Sequence, residues 1–375
     1  MSTQDPDRLL VTYRLLTPSG AAAERAQTLA LEQSIEMPLA AVADARVLQD
    51  VVARVESLDA QPDGSTLAHI SLSAESIADD AGQLLNMLFG NSSLHDDVSV
   101  VDVRVPAALA RGFGGPALGI EGVRRRVRVP ARPLACAALK PIGSTEPDLA
   151  CMTAAFAQAG VDIVKDDHGW AARSRPSFEE RVRICQPEVD RANTGRSTCT
   201  LYAPSLSGDA QAMREQLAFA HGHGVGAVLI APMIAGVSNF NALRREWPQM
   251  VFIAHPALAG HAIAPAVLLG TLFRVFGADA VIFPNHGGRF SYSRATCAAI
   301  AGNLRGALHG LRPALPVPAG GMSVERVPEL VSEYGSDAML LIGGSLLAAR
   351  ERLAERSLEF TEAVARAAAA SEASA

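Results

Sequence analysis

Lysines, acids and histidines stand directly behind short apolar runs in this chain, where extended segments would end. The plainest case is Asp162-Ile-Val-Lys-Asp-Asp-His-Gly169, in which Lys165 is followed by Asp166, Asp167 and His168. Side chains alternate as a chain leaves a strand, so Lys165 and Asp167 share one side, Asp166 takes the other, and His168 enters the loop. On spacing alone, a Lys-Asp ion pair is the simpler reading. A hard divalent cation such as Mg2+ wants several oxygens, which one carboxylate and a cationic lysine do not supply. Reaction of Lys165 with CO2 would change this, because the resulting carbamate is an anionic oxygen ligand.

Other groups sit in comparable places. Lys140 in "ALKPIGS" is followed by turn-forming Pro and Gly. It offers a general base if desolvation lowers its pKa, or an electrostatic partner for a developing enolate, against the alternative of a rim lysine that snorkels to solvent. His255 in "FIAHPALAG" offers a group to orient or protonate a substrate, or a satisfied structural histidine. Arg289, in the glycine-rich "FPNHGGRFSYS" loop with His286, offers a cation to close over an anion. Gly320-Gly321 and Gly343-Gly344 end two apolar runs and lead into helical sequence. One such pair is explained by a tight turn; two in succession suggest a phosphate cradle, because glycines and helix N-termini bring backbone N–H groups close to an anion.

The elements that must position these groups can be read from periodicity. Short apolar runs at 135–139, 161–164, 198–202, 226–231, 251–254, 280–283, 315–319 and 338–342 are each followed by helical sequence. Eight strand-then-helix units in about 220 residues predict a closed (β/α)8 TIM barrel. Its active site would lie at the C-terminal strand ends, which carry Lys140, Lys165 to His168, Tyr202, Pro232, His255, Asn285-His286 and the two Gly-Gly pairs. Upstream, strands at "LLVTYRLL", "VVARVESLDA", "TLAHISLSA" and "VSVVDVRV" mix with helices through "AAAERAQTLALEQS" and "IADDAGQLLNMLFG" in an α+β pattern. The expected division is an α+β module at 1–125, a barrel at 126–360, and a helix end fraying into a tail at 361–375.

Composition excludes several function classes. With 49% hydrophobic and 19% charged residues the chain reads as an ordinary globular protein. A net charge of -6 provides no concentrated basic field for nucleic acid, and Arg124-Arg125-Arg126 reads as a solvated linker face. Cys136, Cys151, Cys185, Cys199 and Cys297 show no C-x-x-C spacing, which fits a reduced, cytoplasmic protein. The start "MSTQDPDRLL" lacks an apolar signal region, and no apolar run reaches the roughly 18 residues of a membrane span.

Taken together, these strings resemble the RuBisCO large-subunit superfamily over nearly the whole chain. "ALKPIGS" is similar to that family's T-I-K-P-K-L-G, "DIVKDDH" to its D-F-x-K-D-D-E, and "LALEQSIE" to its A-A-E-S-S-T segment. The resemblance implies a ferredoxin-like N-terminal domain and a catalytic Lys140. It also implies a carbamylated Lys165 with Asp167 as Mg2+ ligands, a barrel histidine at His255 and a phosphate site at the two Gly-Gly pairs. Glu32 and the amide of Asn86 would be supplied to a neighbouring subunit's site, which makes the protein an obligate homodimer or an assembly of dimers.

The departures from the family carry equal weight. His168 stands where the family has a third, glutamate ligand, and Ile142 lies near the place of its second lysine. Pro256 follows the barrel histidine where the family has arginine, and Ala319 precedes Gly-Gly where it has serine. The loop that holds CO2 and a second phosphate is replaced by "PNHGGRFSYS", leaving His286 or Arg289 as the nearest cations. This combination resembles the form IV RuBisCO-like proteins rather than CO2-fixing carboxylases. It implies metal-assisted enolisation of a phosphorylated ketose, with isomerisation of the 5-methylthioribulose-1-phosphate type preferred. The alternatives are enolisation of a diketo methylthio phosphate, decarboxylation, transcarboxylation or hydrolysis of 3-oxo-isoapionate 4-phosphate, and a non-catalytic regulatory protein on the same scaffold.

Overall fold

In the computed structural model, which describes residues 7–290 and 292–373, the first sheet comprises β1 (Arg8–Leu15), β2 (Arg54–Ala60), β3 (Thr66–Ser73) and β4 (Val98–Arg104) in the order β2-β3-β1-β4. β1 pairs antiparallel with both neighbours. Period-two alternation explains its placement: Leu9, Val11, Tyr13 and Leu15 enter the core. Arg8, Thr12 and Arg14 instead bond to Ser71, His69 and Ser65 of the adjoining chain. The helices Ala22–Glu32 and Ala81–Phe89 bury Leu29 and Leu84 in that core. Arg25 forks onto Asp97 at 2.7 and 2.8 Å and fastens the helix that ends in Glu32. This is the βαββαβ order of a ferredoxin-like domain.

The second part is the barrel. Its strands are β5 (Leu134–Ala138), β6 (Ile163–Lys165), β7 (Leu201–Ala203), β8 (Ala227–Ile230), β9 (Val251–Ala254), β10 (Ala280–Pro284), β11 (Leu315–Ala319) and β12 (Met339–Ile342). They form two parallel arcs, β12-β5-β6-β7 and β8-β9-β10-β11. Leu229 joins β7 to β8 through Leu206 N–H and Pro204 O (2.8 and 2.9 Å), and β11 lies beside β12, so the arcs close. Alternate residues fill the interior, among them Leu134, Cys136, Ile163, Leu229, Ile253, Ile282, Val317 and Leu341. The intervening ones, such as Val164, Val228, Phe252 and Leu340, pack outward into the main core.

Three features differ from the sequence expectations. The helix Gly119–Val127 crosses the expected boundary at 125, and its Ile120, Val123 and Val127 belong to the interior cluster, closing the barrel's N-terminal mouth. Asp279, just before β10, accepts from the N–H groups of Leu118 and Gly119 at 2.9 and 2.7 Å and holds that helix in place. Arg124 is not part of a solvated face, being only 8% exposed and bonded to Asp337, Ser336 O, Val129 O and Arg132 O. The last helix runs unbroken over Leu353–Glu372 with Phe360 and Val364 buried, while residues 374 and 375 of the expected tail lie outside the described residues.

Candidate active site

Lys165 is the last residue of β6, two positions beyond the inward-facing Ile163, so alternation carries its side chain into the barrel mouth. There it is 3% exposed, and its Nζ donates to Asp166 O at 2.9 Å. Leu139 N–H donates to Lys165 O at 2.8 Å and extends the β5–β6 pairing, which sets Lys140 against the chain that follows Lys165. The Lys140 ammonium donates to Asp167 Oδ2. Asp167 Oδ1 accepts from Gly169 N–H at 2.9 Å and lies 3.2 Å from His168 Nδ1. The His168 ring in turn stacks on His255, with centroids 3.8 Å apart and planes 12° from parallel.

Asp166 turns the other way, as alternation predicts. It is fully buried and accepts from Arg181 Nε (2.8 Å), Tyr202 OH (2.7 Å) and Ser205 N–H (3.1 Å). A capping box at Ser177 and Glu180 starts the helix Phe178–Asn193, and its first turn aims Arg181 back at the strand end. Tyr202, expected at the rim, is thus a buried support behind it, because β7 extends to Ala203 and turns Tyr202 outward.

Electrostatics give these groups distinct characters. Burial pushes the Lys165 ammonium down; Cys136 and Asp167 oppose this and Lys140 reinforces it, so the neutral amine becomes accessible. Burial works to raise the Asp167 carboxyl, but His168, Lys140 and the Gly169 N–H outweigh it and hold the group well below the usual carboxylate range. His255 is pushed down to about 2 by burial, reinforced by Lys165 and His168. Its Nδ1 accepts the Ala257 N–H at 3.1 Å, so the neutral ring carries its proton on Nε2. The neutral His255 ring, in the cavity wall, therefore offers an Nε2–H donor.

The residues present fit a divalent cation. Asp167 already draws two cationic or proton-bearing groups, and a neutral amine at Lys165 is the form that adds CO2. A Lys165 carbamate, Asp167 and His168 would together offer two kinds of oxygen and one nitrogen donor from successive positions. Among the described residues, the His, Cys, Asp and Glu side chains that converge as a group lie elsewhere, at His286, Glu329 and Glu333. There Arg294 and Arg326 already pair with Glu329.

A cavity of about 930 Å³ lies at the C-terminal strand ends. Lys140, Lys165, His168 and His255 line it, as do Gly320, Gly321, Gly343, Gly344 and Arg289. Close approach requires a glycine at Gly288: a Cβ there would sit 1.8 Å from Gly320 O, and Arg289 N–H donates to that same oxygen at 3.1 Å. The β10 loop is thereby clamped onto the first Gly-Gly pair.

Three expected residues are placed elsewhere. His286 does not line the cavity; its Nε2 lies 2.6 Å from Glu333 on the helix Val327–Tyr334, so it is not available there as a cation for phosphate. Glu32 and Asn86 do not line their own chain's cavity either. Exposed Asn86 pairs with Gln83, while the amide that meets Glu32 is that of Asn91, at 3.0 Å. Sequence reasoning passed over Arg181, whose signal was an arginine on the apolar face of its helix. It also passed over the cavity residues Leu258, His261, Tyr292, Met322, Ser323 and Ser345, although all of them follow strand ends already singled out.

Comparison with known proteins places this geometry. Residues 119–287 match the model of the ribulose bisphosphate carboxylase large chain, catalytic domain. The chain is 47% identical to a 5-methylthioribulose-1-phosphate isomerase of Rhodospirillum rubrum over 96% of this chain and 97% of that protein. It superposes with a TM-score of 0.89 and 44% identity on a Rubisco-like protein from Rhodopseudomonas palustris, covering 96% of this chain and 98% of that one. The corresponding values for a rubisco-like protein (MtnW) from Alicyclobacillus acidocaldarius are 0.86 and 29%, covering 96% and 93%. The chain belongs to the RuBisCO large-chain superfamily, as one of its RuBisCO-like proteins.

Proposed function

We propose that this protein is a non-carboxylating enzyme that enolises a phosphorylated ketose, as an isomerase of the 5-methylthioribulose-1-phosphate type. The observation that carries this reading is one cavity in which two Gly-Gly pairs adjoin the Lys140, Lys165, His168 and His255 cluster, with Pro256 and Ala319 also in its wall. Those last two positions are where the family resemblance leads one to expect an arginine and a serine. The R. rubrum relative, a 5-methylthioribulose-1-phosphate isomerase, supports the same reading at 47% identity.

In the proposed chemistry, the glycines at the ends of β11 and β12 receive the phosphate on backbone N–H groups. His255 donates its Nε2 proton as a hydrogen bond to the oxygen that becomes an enolate, and its neutrality suits that role. Lys140, held by Asp167 at the cavity wall, acts after giving up one proton: as the free amine it takes the proton from the carbon next to the carbonyl, and the ammonium so formed returns it to a neighbouring carbon. When bound, Mg2+ held by a Lys165 carbamate, Asp167 and His168 supplies Lewis-acid polarisation of the carbonyl.

Glu32 and Asn86, which do not line the cavity of their own chain, are proposed to complete the site of a partner subunit, with Asn91 orienting Glu32. Among the described residues no helix is long and apolar enough to cross a membrane. The reading is tested by incubating the protein with 5-methylthioribulose 1-phosphate, Mg2+ and bicarbonate in deuterated buffer. Deuterium entering the carbons beside the carbonyl, with conversion to an isomer that differs in mass from the substrate only by the deuterium taken up, is expected. Absence of both, with and without metal, overturns it.

A further inference from the structure

Leu258 combines two features that folding disfavours. It is 74% exposed although it is a large apolar side chain lining the cavity, and its backbone φ is +61°. The turn Pro256–Ala259, closed by Ala259 N–H donating to Pro256 O at 3.0 Å, puts Leu258 at its third position. A turn with positive φ at that position favours glycine or asparagine there. The same loop does use glycine at its other left-handed position, Gly260, with φ +58°. A leucine in a strained conformation with its side chain in open solvent gains nothing for folding, and such outliers gather at ligand sites.

The surroundings show what it faces. Phe290, 61% exposed beneath the Arg289 guanidinium at 4.6 Å, lines the same cavity. So do Tyr292, edge-on to His261, and Met322, which follows the first Gly-Gly pair. Apolar side chains thus reach the cavity from the loops after β9, β10 and β11, within the space that holds the glycine cradle and the catalytic cluster.

We propose that Leu258, with Phe290, seats the uncharged end of the phosphorylated substrate, and that Leu258 selects a thioether or alkyl terminus over a hydroxyl. This inference rests on the ketose-phosphate isomerase reading and adds to it the residues that recognise the end remote from phosphate. An apolar seat of this kind discriminates by roughly 10–100-fold and no more, since it presents no hydrogen-bonding group left unpaired by the wrong substrate.

The test compares 5-methylthioribulose 1-phosphate with ribulose 1-phosphate, which carries a hydroxyl in place of the methylthio group, using the full-length protein and its Leu258→Gly and Leu258→Asn variants. Glycine and asparagine both suit the backbone, so neither variant is expected to melt below the parent. The wild-type ratio of kcat/KM should favour the thioether, and both variants should lower that ratio by about tenfold, mainly through KM. A ratio that neither variant moves overturns the inference while leaving the isomerase reading intact. A variant that changes the sedimentation of the assembly without moving the ratio also overturns it, because Leu258 then serves a subunit contact. Wild-type protein that turns over neither ketose overturns the reading, and this inference with it.

Discussion

Replacing Arg181 with methionine tests whether the buried network behind the site holds the strand end that carries Lys165 and Asp167. Arg181 and Asp166 are both fully buried, and the 2.8 Å ion pair between them is joined by Tyr202 OH and Ser205 N–H. Arg181 Nη1 also donates to Pro176 O at 2.9 Å, whereas its buried Nη2 has no hydrogen-bond partner among the described residues. The net worth of the pair is accordingly modest, because desolvation of both charges offsets much of their attraction. Breaking it is another matter: Arg181→Met strands the Asp166 carboxylate in the interior with two donors instead of three. The expected cost is about 3–5 kcal/mol, or roughly 5–10 °C in the melting midpoint of a chain this long. Asp166→Asn should cost a similar amount by stranding the guanidinium. The double variant should recover at least about 2 kcal/mol of the summed loss, since neither charge is then left alone. Melting is followed by near-ultraviolet circular dichroism at one fixed protein concentration, so that assembly does not shift the midpoints. Additive losses, or an Arg181→Met variant that melts within a degree of the parent, would refute the argument.

Further outcomes follow from the same geometry. His255→Asn should lower kcat by about 10²–10³-fold with little change in phosphate affinity, and deuterium exchange with the ketose checks this. Lys165→Met should abolish Mg2+-dependent exchange and remove the CO2-dependent mass increase expected of a carbamate, which intact-protein mass measurement detects. Gly288→Ala would force a Cβ to within 1.8 Å of Gly320 O; the displaced Gly-Gly loop should raise KM for the ketose phosphate about tenfold or more. Arg25 holds the Asp97 carboxyl down to about 2, below its unfolded value near 4. The pair's stabilisation is thus fully present above pH 4 and lost as pH falls through about 2; Asp97→Asn should remove this acid-limb dependence from the melting curve.

Much of this architecture was legible because its signals are local. Strands such as 251–254 and 315–319 are continuous apolar runs bounded by turn residues, and alternation from Ile163 correctly sent Lys165 and Asp167 inward and Asp166 outward. Where partners distant in sequence decide, the signal was missing. His286 follows a strand end like the others, yet Glu333, 47 positions later, takes its ring away from the cavity. Arg124 looked solvated because Asp337, which buries it, lies 213 positions along the chain. Leu258 was readable only as one more apolar loop residue, since neither its positive φ nor its exposure has a counterpart in sequence pattern.

The helix Gly119–Val127, seated by Asp279 against the lower ends of the strands, has a consequence for traffic. With that mouth sealed and the interior filled by packed side chains, the described residues leave the cavity to open at the C-terminal strand ends. Substrate and product must pass each other's path at the same rim, and the product has to leave before the next ketose can enter.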